Sequence, residues 1–160
     1  MARAIILGVL VVGYGLDQLT KHLALSHLAE GDPVRLLGGL LTLRLIFNSG
    51  AAFGMGEGVT IVFTLLSATV LVVLLVLLWR VRHRGWALGF GLLGAGVCGN
   101  LTDRLVRPPA PLHGHVVDFL ELPYFPAIFN VADVCVTFAA VTIAWVSLFG
   151  QASLRGERVS

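Results

Sequence analysis

The run VTIVFTLLSATVLVVLLVLLW, residues 59–79, holds 21 residues without a single charge. A helix needs roughly 20 apolar residues to cross a bilayer, so this stretch places the chain in a membrane. The link that follows, RVRHR at 80–84, holds Arg80, Arg82 and Arg84. Beyond it, Gly85 to Thr102 is uncharged for 18 residues, and Val134 to Gln151 gives another 18. Towards the N-terminus, Ala4 to Leu16 is uncharged, and a full-length span must take in Asp17, Lys21 and His22. A cleaved signal peptide is the rival reading of that first run, because Arg3 precedes it. Asp17, Lys21 and the weak cleavage site favour a retained helix.

Composition agrees. Of 160 residues, 57% are hydrophobic and 12% charged, with a mean hydropathy of +0.91; soluble domains carry about 25% charge. A net charge of +2 is too small to suggest nucleic acid, and no basic run is interleaved with aromatics, so no nucleic-acid partner is expected. Cys98 and Cys135 both fall in apolar segments and read as packing residues.

The expected fold is an all-α integral membrane protein forming a single domain, 1–160. It has four transmembrane helices at about 4–26, 59–79, 85–103 and 127–151. Arginine sets the orientation. Arg3, the 80–84 link, and Arg155 and Arg158 all fall on one side of a four-span chain, and the positive-inside rule makes that side cytoplasmic. Both termini are then cytoplasmic, and the segments 27–58 and 104–126 face outward. Within the first, LLTLRLIF lies between Gly38-Gly39 and Asn48-Ser49-Gly50, which predicts a small extracytoplasmic β-sheet element. The second, an outer loop before the fourth helix, contains RPPAPLHGH and resists helix until after Pro111.

Ionisable residues within a membrane are costly and mark functional sites. Asp17 and Lys21 are four apart on one helix face. Asn100, Asp103 and Arg104 cluster at the outer end of the third helix, Asn130 and Asp133 at that of the fourth, with Asp118 just before it. One reading is charge pairing at helix ends. The other is a shared polar site: two carboxylates brought together cannot easily both ionise. One then takes a proton from water while the other protonates a substrate carbonyl, as in aspartic proteases.

Other motifs carry less. GAGVCG (94–99) matches a dinucleotide fingerprint but lies inside a span with no preceding strand. Its glycines are better read as close helix contacts. His113 and His115 match no standard zinc spacing. Ser49, Ser67 and Cys98 lack a base partner.

DQLTK (17–21), NSGAAFG (48–54), GNLTDR (99–104), VVDF (116–119) and FNVAD (129–133) resemble, in order, the signature blocks of the lipoprotein signal peptidase family, also called signal peptidase II. Thr20 stands where many relatives carry serine; no catalytic block departs. The resemblance implies an aspartyl endopeptidase of the bacterial inner membrane, with its active site near the outer leaflet. Its substrate would be a diacylglyceryl-modified prolipoprotein, cut just before the lipidated cysteine. The resemblance assigns catalysis to Asp118 and Asp133 and substrate binding to Asn48, Asn100, Arg104 and Asn130. Supporting roles fall to Asp17, Lys21, Gly50 and Asp103. No metal and no organic cofactor are implied; membrane lipid is the other partner, and a monomer is expected. The rival class is a small four-span transporter using Asp17 for proton coupling, although such proteins have short loops. A purely structural membrane protein would not need the paired acids.

Overall fold

The computed structural model describes residues 1–50, 58–149 and 153–157. Four helices carry the chain: α1 (Ala2–His27), α2 (Gly58–Leu78), α3 (Arg84–Val106) and α4 (Val131–Phe149). Three strands, β1 (Val34–Leu36), β2 (Leu41–Asn48) and β3 (Val116–Glu121), form an antiparallel sheet in the order β1-β2-β3. Residues 51–54 of the NSGAAFG block, 150–151 at the expected end of the last span, and Arg158 lie outside the described residues.

By length and composition, α1, α4 and Thr60–Leu78 of α2 can cross a membrane. α3, expected as a fourth span, is not among them, because its glycines and the charges at its ends dilute its apolar character. It is the central helix instead, packed against α1, α2 and α4. Glycine permits that packing. A Cβ at Gly96 would collide with the Ala132 carbonyl of α4, and one at Gly99 with the Asp17 carboxylate of α1. α2 is the opposite case, with Val62, Leu65, Leu66, Val72, Leu75 and Val76 all exposed.

One apolar cluster closes the basic end, built from Ala2, Ile6, Val81, Ala87 and Phe90 with Leu154 against it. The Leu154 carbonyl accepts the backbone N–H groups of Arg82 and His83. A second cluster, Ala24, Leu45, Val117 and Phe119, joins α1 to the sheet at the other end.

Two irregularities aim the sheet. Leu43 pairs with Leu120 but Ile46 pairs with Asp118, so β2 carries one extra residue between them. Side chains alternate along a strand, and a one-residue slip exchanges its faces. The bulge therefore brings Asn48 onto the face of Asp118. After β3 the chain turns back, and Phe129 pairs with Leu120 through bonds of 2.8 and 2.9 Å. Residues 127–130, expected within the last span, are thus spent on this pairing, and α4 starts only at Val131.

Candidate active site

Lys21 is fully buried and organises the polar end of the bundle. Its Nζ lies 3.0 Å from Asp17 Oδ2 and 2.8 Å from Asp103 Oδ2. It also donates to Asn100 Oδ1 at 3.0 Å. Asp103 uses its other oxygen for Arg107 Nε at 2.6 Å, so two carboxylates face two cations and the network is neutral. Although Arg104 is its neighbour in sequence, Asp103 pairs with Lys21 and Arg107. Each anion also holds backbone. Asp17 Oδ1 accepts the Ala132 N–H at 2.9 Å, which fixes the start of α4. Asp103 Oδ2 accepts the Val117 N–H at 3.2 Å, which fixes β3.

On this frame the structure brings Asp118 and Asp133 together through Asn130, itself fully buried. Asn130 Nδ2 donates to Asp118 Oδ1 at 2.7 Å. Its Oδ1 accepts the Asp133 N–H at 3.0 Å, while its own N–H donates to Asp133 Oδ2 at 3.1 Å. That reciprocal pair is a capping box, here built from Asn and Asp. The remaining oxygens take amides too: Asn48 Nδ2 reaches Asp118 Oδ2 at 2.8 Å, and Asn100 Nδ2 reaches Asp133 Oδ1 at 2.8 Å. Each of the four carboxylate oxygens therefore holds one neutral N–H, which orients it and leaves a lone pair for water or a proton.

The two acids differ in surroundings. Burial pushes the Asp118 carboxyl up to about 6; the Asn48 and Asn130 amides lower it, and the charge of nearby Asp133 raises it. Asp133 stands in the first turn of α4, on the edge of the cavity that runs along that helix.

Two cavities meet at Asp118. One, of about 730 Å³, is lined by Asn48, Gly50, Phe63, Arg104 and Asp118. The other, of about 510 Å³, reaches Asp133 and runs over Phe129, Val134 and Phe138 of the α4 side. Arg104 makes no carboxylate ion pair within 4.0 Å among the described residues, and its Nε is buried without a partner. Among the described residues, no three His, Cys, Asp or Glu side chains group as metal ligands.

Three contributors escaped the sequence. Gln18 Nε2 donates to Asp17 Oδ2 at 3.0 Å and to the Gly99 carbonyl at 3.3 Å. Arg107 balances Asp103, and its i+4 spacing could have revealed it. Phe63 belongs to an uninterrupted apolar run and gave no signal.

A family model described as signal peptidase (SPase) II matches residues 9–149. The chain is 46% identical over 143 residues to the lipoprotein signal peptidase of Leifsonia xyli subsp. xyli, covering 89% of this chain and 63% of that protein. It is 44% identical over 145 residues to the lipoprotein signal peptidase of Mycobacterium tuberculosis, covering 91% and 71%. Two solved structures, each described as a bacterial membrane enzyme obtained by the in meso method, share the fold. The 1.9 Å structure has a TM-score of 0.79 and 27% identity, covering 90% of this chain and 92% of its own. The 2.3 Å structure has a TM-score of 0.78 and 26% identity, covering 97% and 93%. A multi-pass bacterial membrane fold and this family match agree, and the chain belongs to the signal peptidase II family, the lipoprotein signal peptidases, a family of aspartic peptidases.

Proposed function

We propose that this chain removes signal peptides from prolipoproteins whose cysteine carries diacylglycerol, cutting just before that cysteine, with Asp118 and Asp133 as the catalytic dyad. The observation that carries the reading is Asn130, which touches both carboxylates at once. The acids share one proton, and it resides on Asp118, whose burial favours the neutral form. Asp133, in the first turn of α4, takes a proton from the attacking water. Asp118 protonates the scissile carbonyl oxygen, giving a gem-diol. This collapses as Asp133 passes its proton to the leaving nitrogen of the lipidated cysteine while Asp118 takes one back from a gem-diol hydroxyl. The C–N bond breaks, the carbonyl reforms as a carboxylic acid, and the single proton of the dyad is restored. One proton on the dyad leaves a single negative charge beside Arg104, so this group also balances.

Asn130, fully buried, holds the acids in register; Asn48 and Asn100 do so too and offer amide groups to the peptide backbone, and Arg104 grips a carbonyl oxygen. Asp17, Lys21 and Asp103 support the frame, and Gly50 ends β2. The apolar cavity along α4 suits the hydrophobic part of a substrate that stays in the bilayer.

For topology, we read all four helices as spans of one domain, with α3 shielded by its neighbours and both termini cytoplasmic. Arg84 Nη2 reaches the Met1 sulfur at 2.8 Å, and Arg3 lies 4.4 Å from the Trp79 ring centroid. Those contacts gather the arginines at one end, and the dyad lies at the other, by the outer leaflet. The protein acts as a monomer within membrane lipid.

The test is cleavage of a purified diacylglyceryl-modified prolipoprotein against its unlipidated form. Asp118→Asn and Asp133→Asn should each lower turnover by at least about a thousandfold while the protein still folds. Near-normal turnover by either variant refutes the dyad.

A further inference from the structure

Arg104 is 9% exposed, yet its Nε has no hydrogen-bond partner. Its one hydrogen bond among the described residues runs from Nη1 to the Asn100 carbonyl at 3.3 Å, within α3. A buried guanidinium held so sparsely would swing unless another group fixed its direction. The group that faces it is the Phe63 ring of α2, whose centroid lies 5.8 Å from the Arg104 Cζ. Cation–π attraction acts within about 6 Å of a ring centroid.

The turn of α2 that carries Phe63 is held in place, although the ring itself is 38% exposed. Thr60 Oγ1 donates to the Ser49 carbonyl, and Thr64 Oγ1 donates to the Leu112 carbonyl at 2.9 Å. Both threonines are buried, although α2 is otherwise largely exposed. Standing on either side of Phe63, they fasten the outer end of α2 to the end of β2 and to the loop after α3. Gly50, at φ +87°, lies against the ring, and a Cβ there would stand 2.8 Å from Phe63 Cδ2. Ring, glycine, arginine and Asp118 line one cavity.

We propose that Phe63 is a positioning residue for the peptidase reaction. Its ring face holds the Arg104 guanidinium so that the free N–H groups point into the cavity and grip a substrate carbonyl oxygen beside Asp118. The ring touches no reacting atom and acts only through Arg104. This rests on the reading of Asp118 and Asp133 as a peptidase dyad.

Replacing Phe63 with phenylalanines bearing one, two and three ring fluorines draws charge from the ring face at nearly constant size. With diacylglyceryl-modified prolipoprotein as substrate, kcat/KM should fall stepwise, about fivefold in all, without a change in pH profile. Phe63→Trp should retain activity and Phe63→Leu lose it, since leucine fills space without a ring face. In an Arg104→Gln background the fluorine series should be flat. A flat series in the native background, or an equal slope with Arg104→Gln, overturns the role. The unsubstituted chain separates the two ideas: if it cleaves and the series is flat, only the Phe63 role fails. If it does not cleave, the peptidase reading fails and this role with it.

Discussion

The Val117 N–H donates to the Asp103 carboxylate at 3.2 Å, one residue ahead of Asp118. The position of a proposed catalytic acid on β3 is therefore set by an anion on α3, which is in turn held by a lysine on α1. Packing energetics and site geometry are coupled through that chain of contacts.

Lys21→Met tests the coupling. It leaves Asp17 and Asp103 buried without their shared cation, and breaking a buried pair in this way costs about 3–5 kcal/mol. Thermal unfolding in detergent should show the loss, with activity falling alongside. Unchanged stability would mean that the three groups do not form one network. Triple replacement by Asp17→Asn, Lys21→Met and Asp103→Asn should recover part of the lost stability.

Asn48→Ala bears on pH dependence. In the proposed mechanism the active dyad holds one proton, so activity should fall as pH rises through the Asp118 value of about 6. The Asn48 amide stabilises the ionised form of Asp118. Removing it raises that value further, and the alkaline limb of kcat/KM should move to higher pH. A limb that moves down, or stays in place, contradicts this placement of the proton.

Gly99→Ala should destabilise the fold by about 1–3 kcal/mol, as overpacking does. The added methyl meets the Asp17 carboxylate and stands 3.1 Å from the Ala132 Cβ. Denaturation midpoints of Gly99→Ala and of Gly8→Ala, where the space is open, provide the comparison. Equal midpoints would contradict the close approach.

Topology is accessible to labelling. In a background lacking Cys98 and Cys135, an impermeant thiol reagent on intact spheroplasts should modify Ala110→Cys and spare Arg82→Cys. The reverse pattern would invert the orientation.

Much of this was legible because the signals are local. Uncharged runs mark three of the helices, whereas N-x-x-D at 130–133, a relative of the capping box that marks the true start of α4, was passed over by the expected span from 127. α3 was legible as a helix but not as the centre of the bundle, since glycine weakens the hydropathic signal while permitting the close packing that buries it. The β2 bulge left no trace, because its extra residue has meaning only against β3. Without it Asn48 would face away from Asp118. The Phe129–Leu120 pairing was hidden in the same way, and the start of α4 was misplaced to 127 as a result.

The pairing of Asp17 and Asp103 against Lys21 and Arg107 has an electrical consequence. A transmembrane voltage does about 2.3 kcal/mol of work per 100 mV on each elementary charge moved across it. A cancelled set of charges gives that voltage little to pull on. In the proposed orientation the proposed dyad lies at the outer face, so its proton exchanges with external water and none crosses the field. Cleavage should then run at the same rate in energised vesicles and in vesicles whose ion gradients have been collapsed, so that lipoprotein maturation at this step draws nothing from the cell's electrical store.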